Sequence, residues 1–105
     1  MKKEKFYKLC NEGNGYFLRE GNGYKITYTN DTHATIFLYF EKDGGFWSIT
    51  EETTGGLVGW MLKTLEDAKQ DANRKIESIF NLMNTSGIKT AQKRKTELLL
   101  KLANA

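Results

Sequence analysis

The glycines of this 105-residue chain lie almost entirely in its first sixty positions, and this asymmetry limits the folds open to it. Nine of the ten glycines occur at or before Gly59, in the half that also holds most of the β-branched and aromatic residues. Such a composition favours strands joined by tight turns. The later residues show helical spacing of apolar side chains. The chain therefore predicts an α+β protein in which an antiparallel sheet precedes the helices.

A pentapeptide, Glu-Gly-Asn-Gly-Tyr, occurs twice, at residues 12–16 and 20–24. Asn-Gly tolerates the positive φ angles of a tight hairpin, and an apolar run follows each copy. We therefore expect both copies to reverse the chain, as successive turns of an antiparallel meander. For residues 55–62 the sequence allows either a short further strand or a loop. The expected strands are five in number and span residues 5–10, 16–20, 24–29, 34–41 and 46–50.

Two helices are expected to follow the meander of residues 1–62. The first is predicted over residues 64–86, because Thr64 is a good N-cap and Gly87 a common type of helix stop. Its apolar residues recur every three or four positions, which predicts a long helix packed on the sheet through one face. The second, basic helix is predicted over residues 90–105.

Composition excludes several classes of protein. Cys10 is the single cysteine, so a disulfide scaffold and a zinc finger are excluded and a reducing compartment is indicated. The longest uncharged apolar stretch, residues 34–40, is far shorter than the roughly 20 residues of a membrane-spanning helix. The first residues lead into no apolar signal segment. We expect one cytoplasmic domain, residues 1–105, with no membrane contact.

Side chains suited to catalysis or metal binding are sparse. His33, the single histidine, lies in a predicted turn with Asp31 two positions earlier, a pairing typical of exposed turns. Cys10 has no basic neighbour in sequence to activate its thiol. Glu51 and Glu52 begin the densest set of oxygen ligands, but their spacing differs from that of a calcium loop. We therefore expect no enzyme, no metal and no cofactor.

Basic residues are concentrated towards the C-terminus. Residues 88–105 hold five basic side chains against one acidic, for a net +4, whereas residues 6–87 hold eight against eleven, for a net −3. Basic side chains one helical turn apart can follow a phosphate backbone, and the alternative is a solvated face that keeps the protein soluble. The candidate contacts on the second helix are Lys89, Lys93, Arg94, Lys95 and Lys101.

A second candidate surface is the sheet face that the first helix leaves uncovered. Phe37 and Tyr39 share this face of one strand, and Arg19 and Lys25 lie on neighbouring strands. Aromatic and basic side chains on an open sheet can stack on unpaired bases and clamp them. The alternative is that these aromatic rings lie under the second helix or a partner.

Three consecutive leucines, Leu98, Leu99 and Leu100, make the second helix apolar over more of its circumference than one packing surface requires. A second copy of the chain, another protein or fraying of the terminus would each account for the surplus. A homodimer through these leucines is therefore one possible outcome.

Between residues 46 and 72 three short motifs follow one another: Trp47-Ser48-Ile49-Thr50, Thr53-Thr54-Gly55 and Thr64-Leu65-Glu66-Asp67-Ala68. This pattern resembles one found in small proteins of phages and mobile elements, where a strand with tryptophan, a Thr-Gly turn and a capped helix close a β-sheet-plus-helix domain. The chain departs from the pattern in residues 56–62 and in its additional C-terminal helix. The resemblance implies an accessory or inhibitory binding protein, a class that includes anti-CRISPR proteins, and carries no catalytic residues.

Together these features predict a non-enzymatic phage or mobile-element accessory protein that binds a macromolecular partner. The expected partner is a protein or nucleoprotein defence complex of the host cytoplasm, whose nucleic-acid site the protein would block. Direct nucleic-acid binding through the basic C-terminal helix is the alternative.

Overall fold

A computed structural model describes residues 2–13 and 15–104 and places a five-stranded antiparallel sheet before two helices. Each strand pairs with the next in the chain, so the sheet order is β1-β2-β3-β4-β5. The predicted α+β class and the order of meander and helices are confirmed. The strands are β1 (Lys3–Glu12), β2 (Gly15–Thr29), β3 (Thr35–Asp43), β4 (Phe46–Glu51) and β5 (Leu57–Leu62), and the helices are α1 (Leu65–Leu82) and α2 (Ser86–Ala103).

The second copy of the repeated pentapeptide does not reverse the chain. β2 continues through residues 20–24, so the two strands predicted on either side of this copy are one strand. The first part of β2 pairs with β1 and the last part with β3, and Tyr24 takes part in both pairings. The fifth strand is instead formed by residues 57–62. At the first copy β1 does turn into β2, with Gly13 at a φ of 65°, while Asn14 lies outside the described residues.

Two buried glycines explain why the second copy stays extended. A Cβ on Gly23 would lie 2.4 Å from the Phe40 carbonyl oxygen, and one on Gly21 would lie 2.7 Å from the Phe6 ring. Both glycines have ordinary negative or extended φ values, so what they provide is space and not a turn conformation. They allow β2 to exchange one partner strand for the other at close backbone separation.

The sheet curls until its first strand reaches the connection between its last two. The Leu9 amide donates a hydrogen bond of 2.8 Å to the Gly55 carbonyl oxygen. Phe6 of β1 stacks on Tyr39 of β3 with ring centroids 4.5 Å apart. β1 therefore covers part of the β3 face that points away from α1.

The hydrophobic core lies between the sheet and α1. The small side chains of Ala68 and Ala72 allow α1 to approach the sheet closely. Full burial of a large apolar side chain contributes about 1.5–3 kcal/mol, so this cluster is a principal source of stability. The buried members of the cluster are Ile36, Leu38, Phe40, Ile49, Ala68, Ala72 and Ile79.

Helix α1 begins as predicted and ends earlier than predicted. The Thr64 side chain accepts a hydrogen bond of 3.0 Å from the Asp67 amide, which confirms the N-cap. Thr85 has an extended backbone, and its side chain accepts a hydrogen bond from the Ile88 amide, so α2 starts at residue 86. Gly87 therefore lies in the first turn of α2, and its prediction as a helix stop was wrong. In the described part of the chain neither helix is long and apolar enough to span a membrane.

Candidate functional site

His33 and the Glu51–Thr54 segment both belong to turns. His33 is exposed in the turn between β2 and β3, where the Asn30 side chain accepts hydrogen bonds from two backbone amides. The buried Glu51 carboxylate accepts hydrogen bonds of 2.7 and 3.0 Å from the amides of Thr53 and Thr54, and also from their hydroxyls. These oxygens therefore stabilise the connection between β4 and β5. Among residues 2–13 and 15–104 no three His, Cys, Asp or Glu side chains are grouped to hold a metal ion.

Lys95 is not on the solvent face of α2, which corrects its predicted role in phosphate binding. Its side chain is 7% exposed, and its ammonium donates a hydrogen bond to the Glu52 carbonyl oxygen. Burial lowers the pKa of Lys95, while the carboxylates of Glu52 and Glu51 partly oppose the shift by favouring the charged amine. In this position the Lys95 side chain holds α2 against the connection between β4 and β5 and cannot contact a phosphate backbone.

The other four basic candidates on α2 divide into two kinds. Arg94 is half-buried, and its guanidinium lies 3.9 Å from the ring centroid of Tyr16 on β2. This stacking also holds α2 to the sheet. Lys89, Lys93 and Lys101 are exposed. The structure therefore leaves three of the five predicted cations free to meet an external anion.

The sheet face predicted to bind bases is covered at Tyr39. Tyr39 is buried under Phe6, so its ring is unavailable for stacking on a base, and this part of the prediction was wrong. The cover comes from β1, whereas the sequence had suggested α2 or a partner. Phe37 is half-buried, and Lys25 Nζ lies 4.5 Å from its ring centroid. Arg19 is exposed.

The three leucines predicted for self-association also differ in their exposure to solvent. Leu98 and Leu99 are half-buried on the side of α2 that faces the body of the protein, whereas Leu100 is 58% exposed. Leu102, one turn from Leu98, is also exposed. A homodimer through α2 would therefore rest on Leu100 and Leu102.

In the described part of the sheet, all the exposed large hydrophobic side chains except Tyr16 lie at the β4–β5 edge, where the sequence predicted no site. Phe46 is 40% exposed, Leu57 53%, Trp60 61% and Met61 65%; we call these four residues the edge surface. They line a groove of about 350 Å³, and the remaining residues of its wall are Asp43, Trp47 and Ser48. Large apolar side chains gathered around one groove are typical of an interaction site.

An irregular strand produces this exposure. The pairing of β4 with β5 shifts between Trp47 and Ile49 and again between Ile49 and Thr50. Met61 has a φ of 59°, a conformation that costs a non-glycine residue about 1–3 kcal/mol. Bulges break the strict alternation of a strand, and here two consecutive large side chains, Trp60 and Met61, both face solvent.

Helix α1 protects the backbone of this edge strand. Lys75 Nζ donates a hydrogen bond of 3.0 Å to the Val58 carbonyl oxygen and forms an ion pair of 2.7 Å with Asp71 Oδ2. Asp71 packs against Gly59, where a Cβ would lie 2.9 Å from the same oxygen. A backbone acceptor that is already bonded cannot template a further strand. At Val58, therefore, the main-chain acceptor of β5 is already occupied by a side chain of α1.

Sequence reasoning missed the edge surface because its residues resemble core residues. One signal was available: residues 57–62 form an apolar run without the alternation of a half-buried edge strand. Which members of such a run are exposed depends on bulges and on α1, and neither is visible in the local pattern.

Comparisons of the chain with protein-family models, curated protein sequences and solved structures found no match. The fold and the site define an α+β protein with a curled antiparallel meander and an apolar groove at its last strands.

Proposed function

We propose that this protein is a non-enzymatic binding protein whose main contact surface is the edge surface. The observation that carries the proposal is the exposure of four large apolar side chains, by 40–65%, around a single groove. Burying such side chains against a partner is favourable, and contiguous apolar patches on folded proteins mark interaction sites. Tryptophan and methionine are enriched at the centres of protein interfaces.

The partner that fits this surface is a protein, because phosphate groups make no favourable contacts with the apolar side chains of the groove. A chain of this size can present the roughly 800 Å² that an ordinary specific interface takes from each partner. The resemblance to small phage and mobile-element proteins favours a protein subunit of a host nucleoprotein defence complex. Docking there would block the nucleic-acid site of that complex.

A pair of variants tests the role of the edge surface. The double substitution Trp60→Ala and Met61→Ala removes its two most exposed side chains, and Leu82→Ala removes a similarly exposed leucine from the end of α1. We expect a partner captured with the wild-type protein, then purified and titrated by calorimetry, to bind the double variant about 30-fold more weakly, as loss of an interface hot spot implies. Leu82→Ala should bind as the wild type does.

Two results would contradict the proposal. One is that the wild-type protein retains no partner from host extracts. The other is that the double variant, shown by circular dichroism to be folded, binds the purified partner with wild-type affinity.

Direct nucleic-acid binding is the second candidate function. The observation that favours it is the exposure of Lys89, Lys93 and Lys101 on α2. Lys89 and Lys93 lie one helical turn apart and can contact neighbouring phosphates, and phosphate contacts by themselves carry no sequence information.

A further inference from the structure

We infer that the groove of the edge surface binds an arginine side chain presented by a basic segment of the protein partner. The inference rests on the proposed function, because it specifies the chemistry of the partner at the same surface. It is carried by the residues that line the groove and by their charge.

Aromatic rings dominate the walls of the groove. Phe46, Trp47 and Trp60 line it together with the thioether side chain of Met61. The faces of aromatic rings are electronegative and attract a cation placed within about 6 Å, and tryptophan does so most strongly. A guanidinium also stacks on such rings through its own flat face. The groove volume of about 350 Å³ leaves room for one long side chain.

The charge of the groove favours a positively charged ligand. Of its seven wall residues Asp43 alone is ionisable, and it is exposed at the end of β3, paired in register with Phe46 of β4. A carboxylate beside aromatic rings complements a guanidinium, which can donate hydrogen bonds to the carboxylate while it stacks on a ring. An anionic side chain would be repelled by Asp43, and a neutral one would gain no charge attraction from it.

The protein already uses the same chemistry internally. Arg94 stacks on the Tyr16 ring with 3.9 Å between the guanidinium carbon and the ring centroid. Lys75 Nζ lies 5.9 Å from the ring centroid of Trp60, one of the groove residues.

Intrinsic fluorescence gives a direct test, because the two tryptophans of the chain both line the groove. The probes are acetyl-Gly-Arg-Gly-amide and its citrulline analogue, which has nearly the same shape without the charge, titrated at constant ionic strength. We expect a saturable fluorescence change with the arginine peptide at about millimolar concentration, and about tenfold weaker binding of the citrulline peptide.

Two charge-neutralising variants locate the site. Asp43→Asn should weaken binding of the arginine peptide roughly threefold, the effect of an exposed ion pair, and leave binding of the citrulline peptide unchanged. Glu97→Gln changes the net charge equally at an exposed position on α2, away from the groove, and should have no effect.

Equal binding of the two peptides, or no saturable change with either, would overturn the inference, as would equal effects of Asp43→Asn and Glu97→Gln. These results are distinct from failure of the proposed function. If Trp60→Ala with Met61→Ala abolishes partner binding while no preference for arginine is seen, the proposed function stands and this inference fails. A preference for arginine combined with normal partner binding by the double variant would instead contradict the proposed function, while the groove would still be shown to bind arginine.

Discussion

Glu52 contacts two side chains from different elements, Tyr39 of β3 and Lys95 of α2, and burial shifts the pKa of both. The Tyr39 hydroxyl lies 3.4 Å from Glu52 Oε1, and the Lys95 ammonium donates to the Glu52 carbonyl oxygen. Burial raises the pKa of Tyr39 to about 12, and the carboxylates of Glu52 and Glu4 add to this shift. Burial also lowers the pKa of Lys95. In both cases the folded protein disfavours the charged form, so these residues serve packing and are poorly suited to binding external ions.

Tyr39→Phe tests this burial. In the wild-type protein the unfolded chain loses the Tyr39 proton above its ordinary pKa of 10, whereas the folded state holds it until about pH 12. Because the unfolded state then binds fewer protons, the tyrosine's contribution to stability falls as the pH rises from 10 to 12. Between pH 9 and 11.5 the free energy of unfolding, measured with denaturant, should drop by about 2 kcal/mol more in the wild type than in Tyr39→Phe. Parallel pH curves would contradict the burial of this hydroxyl.

At the scale of the elements, β2 and β5 determine the shape of the sheet. β2 serves two partner strands in succession, and the change occurs where Gly21 and Gly23 admit the Phe6 ring and the Phe40 backbone. This geometry lets the sheet curl over one of its own faces. β5 ends the sheet with bulges and turns apolar side chains outward. The groove therefore follows from the irregularity of one strand.

The close approach at Gly23 predicts a large difference between two glycine substitutions in the same strand. Gly23→Ala places a methyl group 2.4 Å from the Phe40 carbonyl oxygen, and backbone atoms cannot move aside without breaking the pairing of β2 with β3. We expect a loss of about 3 kcal/mol in the free energy of unfolding. Gly15→Ala, whose added Cβ has no neighbour within 4 Å, should change it by less than about 0.5 kcal/mol. Similar urea midpoints for the two variants would show that β2 has room at Gly23.

At the scale of the whole molecule, the two candidate binding surfaces lie on different elements. The candidate phosphate-binding residues Lys89, Lys93 and Lys101 are on α2, while the edge surface lies on β4 and β5. A protein partner and a nucleic acid would therefore use different elements of the fold. This separation lets the two candidate functions be tested with different variants.

Salt dependence tests the nucleic-acid candidate. Contacts from Lys89, Lys93 and Lys101 would release about three counterions, so affinity for short duplex DNA should fall by about one and a half decades between 50 and 200 mM salt. Lys93→Gln should weaken binding and reduce this slope, whereas Lys95→Met should leave the slope unchanged because Lys95 is buried. Fluorescence anisotropy measures both quantities. An absence of binding at 50 mM salt would eliminate this candidate, and a reduced slope in Lys95→Met would contradict the burial of that side chain.

Several features followed from the sequence alone because they depend on neighbouring residues. The α+β class and the order of sheet and helices came from glycine placement and from the periodicity of apolar residues, and the start of α1 came from Thr64. The same local reasoning identified three cations on α2 that prove to be exposed.

Other features were decided only by the tertiary structure. The two copies of the pentapeptide have the same residues, yet one adjoins a hairpin and the other lies in a continuous strand, because only the second packs against Phe6 and Phe40. Lys95 is buried and Lys93 exposed because one side of α2 faces Glu52. Trp60 and Met61 are exposed because β5 is bulged and ends the sheet. Each of these outcomes depends on residues distant in the chain, and a local pattern determines backbone conformation and spacing without specifying which distant groups it will meet.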